Sequence, residues 1–404
     1  MPMHGVARVR GVFRSSASVV VLTAALLTAM LPLRAADREE EVRGLWVRRA
    51  SLVSIDAIRR MVASAAAAGF NTIFVQAGPD VGPAASTFDA TAETIRQAHT
   101  AGLRVHAWVD VLVAASAGEL PSARDHVVYR HPDWLMVPRD IAAELFAVDT
   151  RNPNYIGRLA RWTRANPGRV DGIYVSPLQP EAAAQLAETM RNLVRQGSFD
   201  GVYLDHVQYP GDAFDYSRGS VAAFRDAVRT QLSTAERLRV DAAETVDPFA
   251  YPNAFPDQWR LFRRSQLTSL VARLHSTVKA VRPNALVSAA VTADPGAAER
   301  DRFQDWRTWL DNGFLDALCP VTTGVDAALL SSQINQVRSV AGTRPVWAGI
   351  GANRLAQRET VDVILAARRA GARGVILFSY DSLSSPSRGA DYLSAIGRGA
   401  FEGS

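Results

Sequence analysis

Short apolar runs alternate along this chain with longer stretches whose apolar positions recur every three or four residues. The runs are Val42–Val47, Thr72–Gln76, Leu103–Asp110, Gly201–His206, Ala285–Val291, Leu315–Val321, Pro345–Ile350 and Gly374–Tyr380. They are rich in Val, Ile, Leu and Phe on successive positions, as parallel strands covered on both faces must be. The intervening stretches Ile55–Ala68, Thr91–Ala101, Gln258–Val281 and Thr360–Ala370 carry one apolar face at helical spacing. Ala68-Gly69-Phe70, Ala101-Gly102-Leu103 and Ala370-Gly371-Ala372 place a glycine between helix and strand, where a left-handed residue closes a helix. Eight strand-helix units in one direction predict an α/β fold, a (β/α)8 TIM barrel.

Two stretches break the spacing. Residues 111–199 separate the third and fourth runs and contain a further short strand, Gly172–Val175, and a helix, Glu181–Gln196. Residues 210–256 follow the fourth run and contain the Pro- and aromatic-rich stretch Asp247–Pro256. The barrel therefore carries long insertions after strands 3 and 4, on the side where barrel enzymes build clefts.

Composition adjusts the picture at the N-terminus. Arg8, Arg10 and Arg14 precede an apolar stretch, Ala17–Leu33, and Leu33-Arg34-Ala35 offers a small residue ahead of the acidic run Asp37–Glu41. This pattern predicts a secretory signal peptide over residues 1–35, with 36–404 as one barrel domain that is secreted or periplasmic and not membrane-inserted after cleavage. The whole chain has a formal charge of +5; the signal holds four arginines and no acidic residue, which leaves the remainder near +1. Net charge thus gives no argument for a nucleic acid partner. The single cysteine, Cys319 in Leu318-Cys319-Pro320, excludes an internal disulfide and reads as a small buried apolar side chain at a strand end. No two histidines stand at ligand spacing on one element and no glycine-rich phosphate loop follows a strand, so neither a metal nor a nucleotide cofactor is expected.

The densest polar signal ends the fourth run, in Phe199-Asp200-Gly201-Val202-Tyr203-Leu204-Asp205-His206-Val207-Gln208-Tyr209-Pro210. Asp200 starts the strand, at the barrel floor, and reads as structural. Asp205 ends it, at the mouth, on the same face as Tyr203. The segment resembles the strand-four signature of the glycosyl hydrolase-like family 10 proteins, Asp-Gly-x-x-Leu-Asp-x-x-Arg-Tyr-Pro, with Gln208 at the Arg position. Other pieces resemble the same family in order: Val42–Val47, Gly69–Thr72, Gly102–Trp108, His131–Leu135, Ser176–Glu181, Gln304–Trp306 and Leu377–Asp381. Asp110 stands where the family usually has Asn, and Gln76-Ala77-Gly78-Pro79-Asp80 and Pro320-Val321-Thr322-Thr323 also depart from its pattern.

The resemblance implies a barrel that acts on glycosidic bonds, with a poly- or oligosaccharide of the cell envelope, such as peptidoglycan, as substrate. Glycoside hydrolysis requires two carboxyl groups flanking the bond. Asp205 is the first. Asp294, just past the fifth run, is the choice for the second, with Asp110 and Asp381 as its rivals. Gln76, His106, Trp108, Asp110, His206, Gln208, Tyr209, Trp347, Tyr380 and Asp381 are the candidate sugar-binding residues, the aromatics as stacking platforms. The competing reading is a non-catalytic glycan-binding barrel. A chitinase-like barrel is disfavoured, because its strand-four pattern would need acidic residues at Tyr203 and Val207. The signal reading is checked by the mass of the exported protein: its chain should begin near Ala36, and an exported form retaining Met1–Arg34 contradicts cleavage.

Overall fold

A computed structural model of the chain describes residues 40–77, 89–322, 326–389 and 391–402. The expected signal peptide, Gly78–Asp80 and Thr323 lie outside the described residues. Glu41–Ser404 makes one compact unit. Its centre is a closed barrel of eight parallel strands: β1 (Val42–Val47), β2 (Thr72–Ala77), β3 (Arg104–Asp110), β6 (Gly201–Asp205), β7 (Leu286–Val291), β8 (Ala317–Thr322), β9 (Trp347–Ile350) and β10 (Gly374–Leu377), with β10 closing onto β1. The other two strands, β4 (Val113–Ser116) and β5 (Gly172–Tyr174), form a separate antiparallel pair.

Each barrel strand is apolar on both sides because each side is buried by something different. Outward residues such as Leu45, Ile73, Val105, Leu204 and Val375 join the helices in one large core. Inward residues Val42, Trp46, Phe74, Tyr203, Cys319, Trp347 and Ile376 fill the barrel. The helices Ile55–Ala67, Ala90–Thr100 and Gln357–Arg369 end before Gly69, Gly102 and Gly371, whose φ values of +75°, +75° and +84° are in the left-handed region.

Several strand bounds differ from the sequence reading. β8 and β9 begin two residues later than their apolar runs, and β10 stops at Leu377, with Tyr380 opening the short helix Tyr380–Leu383. Pro320 has no N–H to give its neighbour, and the β8–β9 pairing is split accordingly, into a Leu318–Val346 bridge and the pairs Val321–Gly349 and Thr322–Ile350. Cys319 is therefore inside the barrel in mid-strand, not at a strand end, and burial beside the Tyr203 hydroxyl pushes its thiol up to about 12.

The later start of β9 makes Trp347 its first residue, level with Val42 and Gly374, at the barrel floor. His106, third in β3, is at the next level up, 1% exposed, with its ring 4.9 Å from Phe74 and 6.0 Å from Trp347. Gly201 on β6 leaves room for this imidazole, since a Cβ there would come within 2.6 Å of it. Both side chains, expected to line the cleft, are core. Beneath them Asp200 is structural, as its position implied: its Oδ2 accepts the Val105 N–H at 2.7 Å and contacts His99 Nε2 at 2.9 Å.

The two insertions differ in kind from the reading above. Helix Pro180–Gln196 belongs to the outer ring of the barrel, because Ala187, Met190 and Val194 join the main core. What remains of the first insertion, 111–179, has its own core around Val128, Leu135, Tyr155, Leu159 and Ile173, completed by Val221 and Phe249 from the second. Asp215 pins the two together: its Oδ1 accepts the Val137 and Ser217 N–H groups, each at 3.1 Å, and its Oδ2 accepts the Ser220 hydroxyl.

Burial lowers the His106 imidazole to about 4, against an ordinary value near 6.5. Between those values the unfolded chain binds a proton that the folded chain refuses. Stability conferred by the neutral ring is complete above pH 6.5 and is lost as pH falls towards 4, by on the order of 3 kcal/mol. Urea unfolding across this range should therefore show a steeper loss for the wild type than for His106→Gln; equal slopes would exclude the buried neutral histidine.

Candidate active site

The polar residues of the barrel mouth come from one stretch of ladder. β3 pairs with β6 so that Trp108 stands opposite Tyr203 and Asp110 opposite Asp205, and β2 brings Gln76 opposite Trp108. Alternation turns these side chains inward, above the Trp46–Tyr203 aromatic layer.

Asp205 is held at both oxygens. Trp108 Nε1 donates to Oδ2 at 2.9 Å and the His206 N–H donates to Oδ1 at 2.8 Å. His206 itself has φ +46°, a left-handed conformation uncommon for a residue with a Cβ. Its Nδ1 lies 2.7 Å from Asp110 Oδ1 and 3.8 Å from Asp205 Oδ1, and its Nε2 lies 3.9 Å from Asp171 Oδ2. Gln76 bridges the other side of Asp110, with Nε2 3.5 Å from Oδ2, and its own Oε1 accepts the Arg49 N–H at 3.5 Å. The side chains of Asp205, Asp110 and His206 are 20%, 27% and 27% exposed, which leaves them accessible from the mouth but largely dehydrated.

This environment separates the titrations. Burial raises the Asp205 carboxyl above its ordinary range, and the Asp110 charge adds to that, while His206 and the Trp108 hydrogen bond act against it. Burial alone would lower His206; the Asp110 hydrogen bond and the charges of Asp205, Asp110 and Asp171 outweigh it and raise the imidazole to about 9. The site at neutral pH is thus an imidazolium among carboxyls, one of which has an increased affinity for a proton.

Asp110, Asp205 and His206 each present a ligand atom within 4.8 Å of the others, a spacing that a divalent cation can use. The His206 ring nitrogen facing the carboxylates lies 2.7 Å from Asp110 Oδ1, and the carboxylate charges favour a proton there, which a cation would have to displace.

Asp294 is not brought to this cluster. It is the N-cap of helix Pro295–Arg302: Oδ1 accepts the Ala297 N–H at 2.5 Å, and Oδ2 accepts from Gln336 Nε2 at 3.3 Å. The Asp294-Pro295 pair is the usual start of a helix, and that use has taken the carboxylate expected as the second catalytic group. Asp381 is committed to a tether, accepting the Arg48 N–H at 3.1 Å and the Ser51 hydroxyl, which joins the segments after β1 and β10. Tyr209 is fully buried with its ring 5.0 Å from Phe303, so it too is core and not a sugar platform. Gln208 and Tyr380 are half-buried near the strand ends, Tyr380 packed against the main core.

Two residues that the sequence reading did not assign to the site belong here. Asp171 arrives from the first insertion, immediately before β5, and accepts the Tyr174 hydroxyl at 3.1 Å. Its only signal was its place ahead of an extra strand. Phe378, one residue past β10, meets Trp46 edge-on with ring centroids 4.2 Å apart and packs, partly buried, against the same inner cluster as Trp108. Replacing Asp294 by Ala should cost about 1 kcal/mol in unfolding free energy, the worth of an N-cap, and leave glycan binding or turnover unchanged. A large loss of either at unchanged stability would return Asp294 to the site.

Comparison with known proteins agrees with this architecture. No curated protein matches the chain. The PgaB (BpsB) glycoside hydrolase domain from Bordetella bronchiseptica aligns over 87% of this chain and 98% of its own, with a TM-score of 0.53 and 14% identity. The catalytic domain of β-amylase from Paenibacillus polymyxa aligns over 89% and 97%, with a TM-score of 0.59 and 11% identity. The β-galactosidase from the psychrophilic Marinomonas ef1 aligns over 88% of this chain and 59% of its own, with a TM-score of 0.60 and 10% identity. At these identities the likeness is one of fold. The sequence model described as Glycosyl hydrolase-like 10 matches residues 83–341, a narrower span than the ordered motifs above, leaving β1, β2, β9 and β10 outside it. By that match over more than half its length, the chain belongs to the glycosyl hydrolase-like 10 family.

Proposed function

We propose that this protein is an exported glycoside hydrolase of envelope glycans in which Asp205 is the general acid and Asp110 the partner carboxylate. The observation that carries the reading is the state of Asp205: a carboxyl at the C-terminal end of a barrel strand, dehydrated, fixed at both oxygens, and facing a second carboxyl. A general acid needs its proton at the working pH, and burial beside a like charge is how a carboxyl keeps it.

Asp110 replaces Asp294 in the pair. Its ligand oxygen lies within 4.8 Å of that of Asp205. Trp108, bonded to Asp205, offers an aromatic face beside the carboxyls for a sugar ring. Export rests on the Arg-flanked apolar segment of residues 1–35; among the described residues, no helix is long and apolar enough to cross a membrane.

The test is Asp205→Asn, which keeps shape and hydrogen-bonding size and removes the acid. Hydrolysis of peptidoglycan fragments or other envelope oligosaccharides should fall by several orders of magnitude while the unfolding midpoint stays near wild type. Undiminished hydrolysis by the variant would end the mechanism. Glycan binding without turnover in the wild type, abolished by Trp108→Ala, would instead support the non-catalytic barrel.

A further inference from the structure

We propose that His206 is a positioning residue that makes the two carboxyls unequal, engaging Asp110 through its ring and Asp205 only through its backbone N–H. The inference rests on the reading of Asp205 and Asp110 as the working pair and adds the device that makes them unequal.

The argument starts from symmetry. Asp110 and Asp205 are opposite one another on neighbouring strands, and two carboxyls so placed share a proton unless something distinguishes them. His206 supplies the distinction through geometry. Its ring nitrogen is 2.7 Å from Asp110 and 3.8 Å from Asp205, so Asp110 receives the charge-assisted hydrogen bond. What Asp205 receives from the same residue is the neutral backbone N–H, at 2.8 Å. The left-handed φ of +46° at His206 is the conformation in which one residue makes both contacts. Energy is spent on that conformation, which a residue serving only as a spacer would not require.

The first insertion completes the device. Asp171 faces the outer ring nitrogen at 3.9 Å and is itself oriented by the Tyr174 hydroxyl. The imidazole is thus faced by Asp110 from β3, Asp205 from β6 and Asp171 with Tyr174 from the insertion, and Arg302 lies near Tyr174. Beneath Asp205 are Tyr203 and Cys319, neutral at working pH. The three carboxyls around it favour the charged ring.

The experiment is a titration of carboxyl-13C-aspartate-labelled full chain by NMR, with Asp205→Asn used to assign the Asp205 resonance. His206→Asn is the informative variant, because Asn tolerates the left-handed backbone and removes the charge. It should raise the Asp205 midpoint by ~1 unit or more, since an opposite charge has been lost. Asp110→Asn should lower it, since a like charge has been lost. His206→Lys should return it towards wild type. The pH profile of kcat/KM on any cleaved glycan should move its alkaline limb in the same directions. Unmoved midpoints, or a fall in His206→Asn, would overturn the assignment. Should His206→Asn fail to fold, the Asp110→Asn and Asp171→Asn midpoints decide alone, the latter expected to lower the His206 titration followed by its ring protons. Because the NMR readout needs no turnover, inactive wild-type protein with the expected shifts would sink the hydrolase reading and leave the role of His206 intact.

Discussion

Asp110 lies opposite Asp205 in the β3–β6 ladder, and that register constrains everything above it. In a closed parallel barrel the side-chain period is two, so a shift of one residue in this pairing would turn one of the two carboxyls into the outer sleeve, where Val109 and Leu204 lie, and separate the pair. The register is fixed lower down by bulk. His106 occupies the space that Gly201 leaves empty, and Trp108 stands level with Tyr203. The aromatic layer thus serves two purposes: it sets the height of the mouth residues and it seals them from below, which makes the dehydration of Asp205 one-sided.

The insertions act on the same few residues from outside. Asp215 and Arg263 are both buried, at 0% and 2% exposure, and both are spent on backbone groups of the segment following β6. Burying such groups is costly unless every lone pair and proton is used. Here Asp215 accepts from Val137, Ser217 and Ser220, and Arg263 donates to the Asp212 and Phe214 carbonyls while lying over Trp259 and Phe303. The return is a rigid joint between two long excursions, and through it the placement of Asp171 at the mouth.

The strands were legible in the sequence because both of their faces are apolar, and the mouth residues Gln76, Trp108, Asp110 and Asp205 because they close runs whose ends are marked. Failures came where residue type is ambiguous. His106 and Trp347 are polar-aromatic residues in strands, and only the true start of each strand shows that they lie at the floor. Asp294 could be a strand-end carboxylate or a helix cap; the following Pro295 pointed to the cap. Asp171 had no sequence signal tying it to His206, because the contact spans two excursions that only the fold brings together.

The two carboxyls of the site face each other closely enough to need a compensating charge. Two carboxylates with oxygens within 4.8 Å of one another at a partly exposed site repel by on the order of 3 kcal/mol. That repulsion can be relieved by a metal, by a shared proton or by an internal cation. The chain provides the third, at the residue directly after Asp205, and pays with a left-handed backbone. An internal cation differs from the other two in being directional. It neutralises the carboxylate to which it is hydrogen-bonded and leaves the other exposed to the low dielectric of the aromatic layer. A pair that began as equals by register thereby becomes unequal, with burial raising the affinity of Asp205 for a proton, an asymmetry of the kind that acid-assisted cleavage of a glycosidic bond requires.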